Sequence, residues 1–393
     1  MSGRDLFCQP RRFGRGAALT LVFASVLVAG AATGSLPQEL GGGRRGASGS
    51  ATPSTAPAGR SQDVTRAAEK AAADGKSPME AAERAVSRSG DRWAAVYSEG
   101  EYEQFEESLD GRYTGVGLEA RRERDGRIEV TKVQSGSPAA SAGVRAGDRL
   151  RSVDGRSVDG LPVTDVVSLL RGDAKGASAG TTVRLGLERG TRAWSEILRR
   201  ALLSTDSVTV HRHPGAVTVL TIAAFTKGVG DSVRTAVRQA PAGAGIVLDL
   251  RGNSGGLVTE AVATASAFLD GGLVATYDVD GDQRALHAEA GGDTTRPLVV
   301  LVDGGTMSAA ELLTGALQDR GRAVVVGSRT FGKGSVQMPN RLPDGSVAEL
   351  TVGHYRTPAG HKVDGHGITP DLEADDGALA RAETVLSGLG DAS

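Results

Sequence analysis

The chain has 393 residues, of which 39% are hydrophobic and 23% charged, with a formal net charge of −2; this is the make-up of a soluble globular protein long enough for two domains and a tail. With no basic excess and only 4% aromatic residues, it lacks the charged, base-stacking surface of a nucleic-acid binder. The one cysteine, Cys8, excludes an intrachain disulfide and a four-cysteine zinc site.

Residues 1–16 form a basic flank carrying Arg4, Arg11, Arg12 and Arg15 ahead of an uncharged apolar run over 17–32. A positive flank before a hydrophobic segment is the form of a signal anchor or a cleaved signal peptide. The run is short for a spanning helix, and the small residues at its end, Ala29 to Ala32, would permit cleavage. Both readings put the rest of the chain outside the cytoplasm. Residues 33–61 are dominated by Gly, Ser, Pro, Ala and Thr; such a stretch buries too little apolar surface to offset its ordering entropy and is expected to be a flexible linker.

Residues 62–112 are expected to be a helical region, with helix over 62–98. Ser77-Pro78-Met79-Glu80 places Pro at the first helical position and Glu three after Ser, the pattern of a capping box. From 113 to 195 the texture is that of a small β-rich module. "YTGVGLEARR", "RIEVTKV" and "TTVRLGLERG" read as strands and "VTDVVSLLRG" as an amphipathic helix. From 196 to 385 strands and helices alternate, which implies a mostly parallel sheet with helices against it; "VAELTVGHYRTPAG" adds antiparallel character. The expected fold class is therefore mixed α+β: a β-barrel-like module, an α/β core with a mixed sheet and flanking helices, and an N-terminal helical segment.

Two short motifs invite a chemical reading. Gly252-Asn253-Ser254-Gly255-Gly256 fits G-x-S-x-G and matches the surroundings of the nucleophile in trypsin-like proteases. A trypsin-like triad needs His and Asp ahead of the serine, and the first histidine here is His211, with too little chain before the β-rich module for a double barrel. An α/β-hydrolase order of Ser254, then Asp303 or Asp319, then His354 or His366 stays open, but it leaves Lys333 and Gln337 without a role. The run from Gly327 to Lys333 matches the first seven positions of a P-loop, yet Gly334 stands where Ser or Thr would hold magnesium, and Pro339 and Pro343 break the helix that should follow. His361, Asp364 and His366 could hold a metal, but the glycines around them favour a polar loop.

"SPAASAGVRAGDRLRSVDG" resembles the core of a PDZ domain. "DLRGNSGG", "DGGTMSAAELLTGALQD", "GSRTFGKGSVQ" and "DGHGITPD" resemble, in this order, the blocks of the carboxyl-terminal processing peptidases, or tail-specific proteases; the resemblance covers about residues 75–375. It implies a serine endopeptidase acting outside the cytoplasm through a Ser–Lys dyad, with Ser308 as nucleophile, Lys333 as general base and Gln337 orienting the lysine. It implies an oxyanion hole from the amides of Gly255, less surely Gly256, and Ala309. Gly115-Val116-Gly117-Leu118 would receive a peptide C-terminus, with the helix Val163–Leu170 as the other wall. The PDZ would also gate the active site, with Arg171 a candidate contact to the core. The family usually carries Pro at the position of Ser254 and Ala at that of Met307, and Glu311 matches it as a structural residue.

The residues support this assignment on their own terms. Ser308 follows an apolar strand and opens a helix, where free N–H groups favour an oxyanion on the amide of Ala309. A lysine accepts a proton only when neutral, so its pKa of about 10.4 must fall by roughly three units, through burial without a carboxylate partner. "TFGKGSVQM" contains no acid, and Gln337 is neutral. No cofactor is needed. The partners implied are polypeptides with exposed C-termini and, through 17–32, a membrane, with no nucleic acid; a homo-oligomer is compatible with the sequence. A PDZ adaptor without catalysis is the remaining alternative.

Overall fold

The computed structural model describes residues 57–390 apart from 124, 173–177, 214–216 and 280–281. The basic flank, the apolar run over 17–32 and most of the linker lie outside the described residues. Among the described residues no helix is long and apolar enough to cross a membrane. The fold is mixed α+β, in two compact units. One is Arg112–Thr205; the other joins the described residues up to Gly111 with those from Asp206 onward.

The second unit begins with α1 (Pro57–Ala73) and α2 (Pro78–Ser89). Ser77 caps α2 through its side chain, Pro78 opens it, and Gly90, with φ 71°, ends it. The expected single helical stretch over 62–98 is therefore two helices followed by a strand, β1 (Ala95–Tyr97). The glycine stop at 90 and the β-branched and aromatic residues of β1 account for the difference. Then α3 (Glu99–Leu109) starts on a capping box of Ser98 and Glu101.

In the first unit the chain runs β2 (Arg112–Gly115), β3 (Leu118–Arg122), β4 (Ile128–Val133), α4 (Pro138–Ser141), β5 (Arg149–Val153), β6 (Arg156–Ser157), α5 (Val163–Arg171), β7 (Thr182–Arg189), β8 (Arg192–Arg199) and β9 (Ala201–Ser204). "YTGVGLEARR" is thus two strands. The break falls at Val116-Gly117, where Gly117 has φ 81° and a Cβ would lie 2.2 Å from Ser137 Cβ, so only glycine fits. The sheet order is β3-β4-β5-β7-β8, with β6 beside β5, and β2 pairs with β9 separately. Alternate residues of these strands, among them Ile128, Val130, Leu150, Leu185 and Leu187, fill the core of this unit against Val166 and Leu170 of α5. Arg171 lies over the Tyr113 ring of the same unit, 5.7 Å from its centre.

The second unit resumes with β10 (Val208–His213), β11 (Val217–Ile222), α6 (Val229–Gln239), β12 (Gly245–Asp249), α7 (Val258–Ala265), β13 (Leu273–Val279), β14 (Asp282–His287), β15 (Leu298–Val302), α8 (Ala309–Asp319), β16 (Val324–Gly327), β17 (Ser335–Arg341), β18 (Val347–Arg356), β19 (Leu372–Glu373) and α9 (Ala378–Gly390). One sheet has the order β10-β11-β12-β15-β16-β19, parallel except at β10. Its central strands are continuous apolar runs because both faces are covered. Leu220, Ile246, Leu248 and Val300 point to α6, α7 and α8; Val219, Val247, Val299 and Leu301 point to Ala382 and Leu386 of α9. "GLVATYD", read as part of the alternating pattern, is β13 of a different, antiparallel sheet, β1-β18-β13-β14 with β17 against β18.

Candidate active site

Two strand-to-helix turns at the carboxyl ends of β12 and β15 are tied together. Asp303 Oδ1 accepts the Gly252 and Gly305 N–H groups, at 2.9 Å each. Thr306 Oγ1 donates to Leu250 O at 2.9 Å, and Met307 N donates to Asn253 O at 2.8 Å. A Cβ on Gly305 would lie 3.0 Å from Gly252 Cα, so the turns touch through glycine. This pairing brings Gly255 against Ser308: a Cβ on Gly255 would stand 3.0 Å from Ser308 Cβ and 3.3 Å from Ala309 N.

Ser308 is the hinge between β15 and α8, with φ 59° and ψ −116°. A positive φ in a residue with a side chain is a strained arrangement of the kind found at functional turns. Its residue is 1% exposed, and its Oγ is buried without a hydrogen-bond partner. Ala309 is the first residue of α8, so its N–H has no acceptor within the helix. The Gly255 N–H donates to Asn253 Oδ1 at 2.8 Å, and Asn253 is held in turn by Ile222 O at 2.8 Å. Gly256, with φ 133°, packs on the Phe225 backbone.

Lys333 sits in a loop that only glycines allow. A Cβ would lie 3.1 Å from Gly367 N at Gly332 and 2.4 Å from Asp364 N at Gly334. Glu311, fully buried, organises this loop and the serine turn together. It accepts Ser308 N at 2.8 Å, Lys333 N at 2.8 Å, Gly332 N at 2.7 Å and Thr330 Oγ1 at 2.5 Å. Burial pushes its pKa up, and these four hydrogen bonds pull it back toward the charged form. The Tyr355 hydroxyl spans the Ser308 and Lys333 carbonyls, at 2.9 and 3.1 Å.

The side chains of Ser308, Lys333 and Gln337 are all buried, but they are not joined. Lys333 Nζ has no hydrogen-bond partner and lies 5.0 Å from the centre of the Trp93 ring. Gln337 Nε2 donates to the Trp93 carbonyl, while its Oε1 is unpartnered. Trp93, which sequence reasoning passed over, therefore walls the lysine chamber. Burial pushes Lys333 down to about 8. No carboxylate is hydrogen-bonded to the amine, but one acts on it through space: Glu349 on β18, fully buried, is the first charge to raise the lysine again, with Asp91, Asp364 and Glu311 after it. The local run around Lys333 lacks an acid, and β18 supplies one.

A small apolar cavity opens beside Ser308, lined by Val258, Tyr277, Leu286, Leu312 and Val336. Ser254 stands in the turn between Asn253 and Gly255. Of the other triad candidates, Asp319 lies 3.5 Å from His361 and His354 3.7 Å from Asp364; His366 Nδ1 lies 2.8 Å from Asp364 O. Among the described residues no group of three His, Cys, Asp or Glu could hold a metal. In the other unit, Val116 is buried and Leu118 half-buried at the start of β3, the terminal strand of its sheet.

A model of peptidase family S41 matches residues 216–374, and a PDZ-domain model matches 129–188. The "Probable CtpA-like serine protease" of Staphylococcus haemolyticus is 34% identical over 299 residues, which is 72% of this chain and 57% of that protein. Its namesake in Staphylococcus saprophyticus is 32% identical over 309 residues, 77% and 61% of the respective chains. The chain thus spans about three-fifths of the length of these relatives. The solved photosystem II D1 C-terminal processing protease is similar in fold, with a TM-score of 0.50 and 30% identity, over 80% of this chain and 86% of that one.

Proposed function

Because the chain belongs to peptidase family S41 and carries a PDZ domain ahead of its core, we propose that it is a serine endopeptidase with a Ser308–Lys333 dyad. Its substrates are polypeptides with exposed C-termini. Ser308 Oγ attacks the scissile carbonyl as its proton passes to the neutral amine of Lys333. The lysine then protonates the leaving amine, and water hydrolyses the acyl-enzyme.

The observation that carries this reading is that Glu311 and Tyr355 tie together the backbones of two residues with buried, unpartnered side-chain groups: a serine hydroxyl at a strained turn and a lysine amine whose pKa is pushed down to about 8. For the reaction, Nζ must leave the Trp93 face and reach Oγ, and Gln337 must exchange the Trp93 carbonyl for the amine. The Ala309 amide, with Gly255 once its N–H is released from Asn253, stabilises the oxyanion. The apolar cavity beside Ser308 favours a small apolar side chain before the scissile bond.

In the other unit, a C-terminal peptide adds along the open edge of β3 beside α5, its carboxylate received by the amides of Gly115, Val116, Gly117 and Leu118. We place the catalytic part outside the cytoplasm, tethered or released through residues 17–32.

The test is cleavage of an unstructured polypeptide ending in apolar residues by the parent protein and by Ser308→Ala, Lys333→Ala and Ser254→Ala. Loss with the first two alone supports the dyad. Loss with Ser254→Ala alone would transfer the chemistry to the G-x-S-x-G turn, and an inactive parent would leave a peptide-binding adaptor.

A further inference from the structure

Among the described residues, Glu349 is a buried ionisable group to which the proposed mechanism gives no role. Glu349 lies on β18 opposite Ala95 of β1 and Pro339 of β17. It is fully buried, and neither of its carboxyl oxygens has a hydrogen-bond partner. Burying a carboxyl unsatisfied costs several kcal/mol by ordinary transfer energetics, so a purely structural role would be filled better by an apolar residue. Alternation along β18 puts Glu349 on the face of Val347, which packs with Tyr97, Tyr102 and Phe105. The unpartnered groups nearby are of complementary kind. Lys333 Nζ and Trp93 Nε1 can donate; Glu349 and Gln337 Oε1 can accept.

The ionisable groups around Glu349 come from each neighbouring element. Tyr97 on β1 and Tyr102 on α3 are both pushed up by burial and then by Glu349 itself, so neither offers it a compensating charge. Arg341 of β17 acts on Tyr102. Lys333, before β17, is the group that pulls the Glu349 pKa down against burial, which leaves it at about 7. Asp91, Asp364 and Glu311 act on Lys333 more weakly than Glu349 does. The register agrees: Glu349 pairs with Ala95, two residues after Trp93, and the buried Lys333 amine lies 5.0 Å from the Trp93 ring, so the lysine and the glutamate are each the other's foremost charged neighbour.

We propose that Glu349 is a positioning residue of the peptidase that acts through Lys333: its carboxyl sets the proton affinity of the lysine amine and, while charged, keeps that amine on the Trp93 side of the chamber, away from Ser308. The chemistry balances within the pair. An ammonium facing a carboxylate and an amine facing a carboxylic acid hold the same protons and the same net charge, and differ only in whether one proton sits on Nζ or on a carboxyl oxygen. Low dielectric narrows the gap between the two forms, but with Lys333 at about 8 and Glu349 at about 7 the shared proton stays on the amine, and Ser308 gains its base only as that proton leaves. This inference rests on the reading of Lys333 as general base.

The sign of the effect follows. The negative charge of Glu349 favours the ammonium, so Glu349→Gln, which keeps shape and removes charge, lowers the pH at which the amine is free. The measurement is kcat/KM on an unstructured polypeptide across the pH range. For the parent, activity should rise with pH through about 8. For Glu349→Gln the midpoint should move down by roughly one unit, which raises kcat/KM near neutrality about fivefold, and about tenfold well below it, with the alkaline plateau kept. An unmoved or upward midpoint overturns the proposal; a structural residue would change the plateau and leave the midpoint alone.

Should the glutamine variant fail to fold, carboxyl carbon NMR of the parent and of Lys333→Met decides instead. The Glu349 signal should titrate near neutrality in the parent and higher once the cation is gone, and titration in the ordinary carboxylate range would overturn it. Lys333→Ala separates the two failures. If it stays active, the dyad reading falls; if it is dead while Glu349→Gln shows no shift, only the role of Glu349 falls.

Discussion

The turns after β12 and β15 look alike as sequence. Each carries glycines and a serine, each ends a buried apolar strand, and the strands are parallel neighbours paired from Ile246–Leu298 to Asp249–Leu301. They differ in what surrounds the serine. Ser308 has positive φ, opens α8, and has its N–H fixed by Glu311, which also fixes the lysine loop. The turn around Ser254 supplies instead the buried Asn253 and the glycine that lets Ser308 approach. A serine in a glycine-rich motif is thus cheap; a serine whose backbone is locked to that of a buried lysine is specific. On the proposed reading, the motif that best fits a textual pattern is the supporting member of the pair.

This comparison can be broken most sharply at the serines. Ser308→Ala should cut kcat by about 10⁴-fold or more, as removal of a nucleophile does, measured on any cleaved polypeptide, while the fold stays intact by circular dichroism. Next comes Glu311→Ala, which strips acceptors from the Ser308, Gly332 and Lys333 amides and the Thr330 hydroxyl. At ~1–3 kcal/mol per buried unpaired donor, urea unfolding should show a loss of about 4 kcal/mol or more, together with loss of activity. Gly255→Ala tests the contact between the turns. Its φ of 103° and the 3.0 Å approach of a Cβ to Ser308 should lower kcat about 10²-fold with less change in KM. Ser254→Ala should be the mildest, within about threefold of the parent, since substitutions away from buried networks are usually near neutral. An effect from Ser254→Ala as large as that from Ser308→Ala would reverse the comparison.

Much of this arrangement was legible because its signals are local. The strand-to-helix position of Ser308 and the glycines flanking Lys333 can both be read within a few residues. The alternating strands and helices from 196 to 385 likewise led to the parallel sheet. What escaped depends on register. Trp93 reaches the lysine because three residues of β1 pair with β18, and a strand that short leaves no periodicity to detect. Glu349 reads as an ordinary charge in "VAELTV", and only the pairing of β18 with β1 and β17 turns it inward. The break of "YTGVGLEARR" at Gly117 depends on Ser137, far along the chain. The Gly255 amide, assigned to an oxyanion hole, is bonded to Asn253, a choice of peptide orientation that residue types alone do not determine.

The pairing of β1 with β18 has a temporal consequence. Ala95–Tyr97 is synthesised before the Arg112–Thr205 unit and Val347–Arg356 long after it, so these partners meet only after the whole intervening unit has emerged. Contacts so distant along the chain form late and slowly. Until then Trp93 has no strand to anchor it, and the wall it forms beside Lys333 is missing.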